Sequence, residues 1–186
     1  MKKVTIIAAA LLLAVGAQAG SIDWTVSGVG SIKTQANANI GAGVTVYLVL
    51  AGSQTAIGTA ITAGTFTSGL TGVLGTGVTT AGSLVLPTFA QTAQLTSGTS
   101  YNYSVLVFST PTSYNNAPSS TGYYKFAQAV TAVANPDGDH TQIATFVGTD
   151  FSIPTWTAYT VVPEPTSMAL LALGVAAIGL RRRFKK

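Results

Sequence analysis

Between Leu95 and Thr110 the chain reads LTSGTSYNYSVLVFST. The turn residues Thr96, Ser97 and Gly98 lead into an alternating run. Tyr101, Tyr103, Val105 and Val107 fall on one face, and Asn102, Ser104, Leu106 and Phe108 on the other. A period of two is the spacing of a β-strand, whose successive side chains point to opposite faces. The sequence contains no cysteine, so neither a disulfide nor a thiolate metal site can hold the sheet this strand requires. Core packing and ladder hydrogen bonds must do so.

The neighbouring stretches supply the other strands. Residues 44–52, VTVYLVLAG, are β-branched, aromatic and bounded by glycine. They read as a central strand buried on both faces. Residues 22–34, IDWTVSGVGSIKT, suit an opening strand with Trp24 in the core, and SLVLPTFAQTAQL (83–95) resumes strand with Pro87 marking an edge or bulge. Residues 122–134, GYYKFAQAVTAVA, form one strand, and TQIATFVG and WTAYTVV supply the last two. Residues 55–63 suit one short helix stopped by Gly64. The Gly/Thr-rich residues 67–83 and the Pro/Asn/Ser-rich residues 111–120 read as loops. Asn135 to His140, NPDGDH, is a tight turn in which Pro136 presets φ and Gly138 takes the left-handed position. Seven or eight short strands with little helix predict an all-β fold, a single β-sandwich over residues 20–161.

One detail narrows the sandwich. Leu95, a turn glycine, Thr99 and then Tyr101 resemble the corner before strand F in fibronectin type III and immunoglobulin-like domains. The resemblance implies that the Tyr101 hydroxyl bonds back to the backbone at Leu95 or Thr96. Ser97 stands where that corner usually carries proline, and no cysteine follows.

Positive charge is concentrated at the ends. Lys2 and Lys3 open the chain and Arg181, Arg182, Arg183, Lys185 and Lys186 close it, whereas the body holds Lys33 and Lys125 against Asp23, Asp137, Asp139 and Asp150. The formal net charge of +4 therefore belongs to the termini. A body without clustered Lys or Arg has nothing to displace counterions from phosphates, which excludes nucleic acid as partner.

The N-terminal residues MKKVTIIAAALLLAVGAQAG hold a positive start, an apolar run too short to span a bilayer, and the small-residue site Ala17-Gln18-Ala19. Residues 1–19 read as a secretory signal peptide cut after Ala19, which implies the Sec translocon and signal peptidase as partners. Residues 162–186 are a second address. Pro163 and Pro165 bracket Glu164 and disfavour helix there, residues 168–180 are apolar or glycine, and the basic tail 181–186 follows. As a helix the apolar run covers about 20 Å against a hydrocarbon core of about 30 Å, so it spans only with thinning or snorkelling. The basic tail stays cytoplasmic and leaves Glu164 at the outer face.

This order of Pro-Glu-Pro, hydrophobic segment and Arg181-Arg182-Arg183 resembles the PEP-CTERM sorting signal of Gram-negative bacteria. The resemblance implies recognition by an exosortase-type transpeptidase after transient anchoring in the inner membrane. Loss of the helix and tail follows, with delivery to the cell envelope, surface or extracellular matrix.

Candidates for chemistry are few. His140, the only histidine, stands near Asp139 and Asp150 in sequence, but nothing like G-x-S-x-G marks a nucleophile. Asn135, Asp137, Asp139 and Asp150 lack the alternating spacing and terminal glutamate of an EF-type calcium loop. The reading is no enzyme, no catalytic residues, no metal and no cofactor. Tyr114, Tyr123, Tyr124, Trp156 and Tyr159 are aromatics that exposed faces use to stack on sugars, although most are expected in the core. The expected function is a structural or adhesive surface protein. The alternatives are a module binding extracellular polysaccharide and, further off, a small hydrolase.

Overall fold

The structure, a computed structural model, describes residues 18–28, 32–80, 88–109, 121–136, 139–151 and 155–161. The signal segment through Ala17, the loop at 111–120 and the sorting segment at 162–186 lie outside the described residues. Nine strands appear among the described residues: β1 Ala19–Ser27, β2 Thr45–Leu50, β3 Val73–Val78, β4 Thr88–Thr96, β5 Ser100–Phe108, β6 Thr121–Phe126, β7 Val130–Val133, β8 Ile143–Val147 and β9 Thr157–Thr160. One helix, α1 Gln54–Ala63, follows a 3₁₀ turn at Ala51–Ser53, and a second such turn covers Gly148–Phe151.

The strands form a three-stranded sheet in the order β4-β1-β8 and a larger one in the order β3-β2-β5-β6-β9, with β7 also paired to β5. The pairing of β1 with β8 is parallel and the others are antiparallel. This is the expected all-β, sandwich-like architecture. Between the sheets lie Ile22, Trp24 and Val26 of β1, Val46 and Leu48 of β2, and Tyr103, Val105 and Val107 of β5. A second core lies on the other face of the larger sheet, where Tyr47, Val49, Leu106 and Phe108 meet Ile57 and Ile61 of α1. β2 and β5 therefore bury both faces, as the unbroken apolar run of residues 44–52 requires.

The helix forms where expected. Ile57 and Ile61 are four apart and share one face, so both are fully buried. It ends because Gly64 takes φ 75°. Its N–H bonds the Ile61 carbonyl, and the Thr65 N–H bonds that of Ala60. This is a Schellman closure, which needs a left-handed residue at that position.

Three expectations are corrected. The opening strand ends at Ser27, and Lys33 makes only an isolated bridge with Asn39. Residues 122–134 form two strands, because the register against β5 slips by one residue between Phe126 and Val130. The Ser104 hydroxyl caps that bulge by donating to the Ala127 carbonyl at 2.7 Å.

The third correction is β3, which lies within the stretch that reads as a loop. Its glycines conceal a packing surface. A Cβ on Gly77 would lie 3.1 Å from the Trp24 ring, and one on Gly75 would lie 3.0 Å from the Ala90 Cβ. The indole and β4 lie directly on the β3 backbone, so the inward positions show no hydrophobic signal. Leu74 is an extra residue in the ladder and turns inward beside them.

Two buried polar atoms, Trp24 Nε1 and the Tyr103 hydroxyl, have no hydrogen-bond partner among the described residues. Burial, and then the nearby Tyr101, push the Tyr103 phenol up from 10.0 to about 12. Its contribution to stability is complete below pH 10 and is lost as pH rises towards 12, because the unfolded chain ionises first. Burial raises Tyr47 and Tyr124 in the same direction.

The unfolding free energy from urea titration falls progressively above pH 10, by on the order of 2 kcal/mol or less for Tyr103. Tyr103→Phe removes part of that fall and leaves stability at pH 7 unchanged or higher; a clear loss at pH 7 would contradict the unpartnered hydroxyl. Gly77→Val, despite its better strand propensity, lowers stability by about 1–3 kcal/mol through overpacking against Trp24. A stabilised Gly77→Val protein in urea titration would contradict that contact.

Candidate functional site

The two sequence-predicted processing junctions bracket the described fold. Ala19 is the first residue of β1 and pairs with Thr96. Just before it, the Gln18 carbonyl accepts the Ser97 N–H at 3.1 Å. Ala17 lies outside the described residues, as do Pro163, Glu164, Pro165, Arg181, Arg182 and Arg183. At the other end the chain leaves the fold through β9, the edge strand of the larger sheet. Val161 follows it and packs against the outer core. Only Val162 separates that residue from Pro163.

The corner before β5 has the geometry that its resemblance implies. The Thr96 N–H donates to the Tyr101 hydroxyl at 2.8 Å. Gly98 turns at φ 76° and its N–H bonds the Ala134 carbonyl at 2.7 Å. The Ala134 N–H returns to the Thr99 carbonyl at 2.9 Å. The Thr96 side chain, and after it the Thr96 N–H, hold the Tyr101 phenol below the usual tyrosine range. The corner links the two sheets at the β4–β5 crossing.

The groups considered for chemistry are held in structural contacts. His140 meets neither Asp139 nor Asp150; its Nδ1 lies 2.9 Å from an Asp23 carboxylate oxygen and its ring lies 5.1 Å from that of Phe89. No spacing in the sequence could show a pairing across 117 residues. Asp139 accepts the Thr141 N–H at 2.9 Å, and Asp150 accepts the Val147 N–H at 2.7 Å. Both are turn-stabilising contacts of the kind aspartate makes with nearby backbone. Asn135 is buried, and its side chain donates to the Asp139 carbonyl. Asp137 lies outside the described residues, among which no group of three metal-ligating side chains occurs.

Of the aromatics, Tyr124 and Tyr159 belong to the outer core and Tyr123 is exposed, while Tyr114 lies outside the described residues. Trp156 is half-buried. Its Nε1 donates to the Lys33 carbonyl at 3.1 Å, and the Lys125 amino group sits 5.7 Å above its ring. Trp24 is fully buried, as expected. Beside Tyr124 an open depression is lined by Gln54, Thr55, Gly58, Thr59 and Thr62 of α1. Among the described residues no helix is long and apolar enough to cross a membrane. The apolar run at 168–180 lies outside them.

Fold and junctions together define a class: a β-sandwich domain whose last strand runs directly into a C-terminal sorting segment. The comparisons identify that segment. Residues 161–183 match the family model of the PEP-CTERM protein-sorting motif, so the chain carries a signal whose processing partner is an exosortase. The match begins at the residue after β9. No curated protein and no solved structure matches the chain.

Tyr101→Phe keeps the ring and removes the acceptor for the Thr96 N–H. The expected loss is about 1 kcal/mol in urea unfolding at neutral pH. An unchanged midpoint would mean that the corner bond contributes nothing.

Proposed function

We propose that this chain is an exported structural or adhesive protein of the cell surface or extracellular matrix, delivered by its C-terminal signal. The observation that carries the reading is the PEP-CTERM match at residues 161–183. The signal peptide, cut after Ala19, takes the body through the Sec translocon. The apolar run at 168–180 halts in the inner membrane, with Arg181, Arg182 and Arg183 retained on the cytoplasmic side. Pro163 and Pro165 keep Glu164 in extended, accessible chain at the outer face.

The enzyme's nucleophile takes the acyl group beside Glu164, and the tail departs as an amine after gaining a proton. The acyl group then passes to water or to a nucleophilic acceptor of the envelope. The mature body is close to neutral, with two lysines against four aspartates, and its exposed positions are rich in serine and threonine. Those properties suit a coat or matrix component, and their support for that role is compositional.

Intact mass of the mature protein from its native host tests the reading. The expected mass begins at Gly20 and lacks Arg181–Lys186, with any added sugar visible as an increment. An exported mature product that keeps Arg181–Lys186 would overturn it. Replacing Pro163, Glu164 and Pro165 together by alanine should leave the tail attached.

A further inference from the structure

We infer that β9 is a releasable strand: it leaves the sheet edge so that Thr157 to Val161 can enter the processing enzyme together with Pro163-Glu164-Pro165, and it pairs with β6 again after the cut. The inference rests on the sorting function proposed above.

Reach is the first argument. Val161 packs on the outer core, and Glu164 is three residues further along the chain. Fully extended, three residues span about 10 Å. The apolar run starting at Met168 begins no more than about 25 Å from Val161 by the same measure. A folded sandwich this close to its membrane segment leaves almost no free chain on the amino side of the cut. Extended peptides are commonly bound through main-chain hydrogen bonds to a sheet edge, with alternate side chains seated in pockets. That mode needs several unpaired residues, and β9 holds the nearest ones.

The second argument is how lightly β9 is held. It has four residues, and among the described residues it pairs with β6 alone. Thr157, Ala158 and Thr160 are exposed, and only Tyr159 is buried. That side chain lies over the bare backbone of Gly122, where a Cβ would come 2.6 Å from the hydroxyl. Its ring meets those of Phe108 and Tyr124, each at 6.2 Å between centroids. Release therefore withdraws one aromatic anchor, Tyr159, and the half-buried Val161 from the outer core.

The third argument is a fixed point upstream. Trp156 immediately precedes β9, is tied to the Lys33 carbonyl, and carries the Lys125 amino group above its ring. Peeling stops there. The five freed residues, Thr157 to Val161, add about 17 Å of extended chain. No covalent bond changes in this step.

The test uses the full-length chain in its native host, whose lack of cysteine makes introduced pairs unambiguous. Thr121 and Thr160 face each other in the ladder, as do Tyr123 and Ala158. Thr121→Cys/Thr160→Cys, with Tyr123→Cys/Ala158→Cys as a second lock, closes the edge in the oxidising periplasm; alkylation and mass verify the bond. Pulse-chase with an antibody to the basic tail then measures processing. The locked chains should lose their tail at least tenfold more slowly than either single-cysteine control. Inserting six Gly/Ser residues between Val161 and Val162 into a locked chain should restore the rate. Locked chains processed at the control rate, or insertion failing to restore it, would overturn the inference. Wild-type chains that keep their tail would overturn the sorting function itself, and this inference with it.

Discussion

The three-stranded sheet is built around one strand. β4 and β8 both take their ladder from β1, so the inward face of β1 forms the centre of the contact with the larger sheet, flanked by Ala90 and Leu95 of β4 and Ala144 and Phe146 of β8. That face is Ile22, Trp24 and Val26, all fully buried. Trp24 is the largest of them and lies on β3 where Gly75 and Gly77 carry no side chain. The indole thus sets how closely the two sheets approach. Sheet faces normally stand about 10 Å apart with side chains from both layers between them. Here one layer contributes backbone and the other an aromatic ring, at a corner where β3 and β4 run side by side.

The larger sheet must satisfy two faces at once. β2 and β5 carry apolar residues at successive positions, so a two-layer sandwich would leave Tyr47, Val49, Leu106 and Phe108 in water. The segment after β2 removes that exposure by folding α1 back over the sheet, with Phe66 set edge-on to Tyr47 at 5.1 Å. Among the described residues no helix covers the outer face of the smaller sheet. There Phe89 and Ile143 flank Asp23 across the ladder, and His140 closes over the carboxylate. The half-buried carboxylate thus sits between two exposed apolar side chains, with the imidazole as its polar neighbour.

The distribution of charge separates folding from delivery. The body folds with four aspartates and two lysines, and Asp23, Asp139 and Asp150 are each bonded locally or to His140. The cationic residues that give the chain its net charge stand at its two ends, beside the apolar runs. The body joins the sorting motif with no linker: β9 ends at Thr160 and the motif begins at Val161. The same few residues complete the sheet edge and lead into the signal.

Several elements were legible from sequence because their cause is local. The alternation in β5, the doubly buried run of β2, and the Ile57/Ile61 spacing with its glycine stop each depend on neighbours within a few positions. So does the reach of Tyr101 to Thr96, five residues back. The sorting signal is legible for the same reason, since its charge, prolines and apolar run are contiguous. Only the tertiary structure decided the rest. β3 is a strand because its glycines meet Trp24 from another sheet, and a glycine carries no trace of what lies against it. His140 pairs with Asp23 through the parallel register of β1 and β8, a contact no spacing encodes. The split between β6 and β7 is a one-residue slip that appears only when β5 lies alongside. Whatever depends on adjacent residues can be read from the chain; whatever depends on which surfaces meet has to wait for the fold.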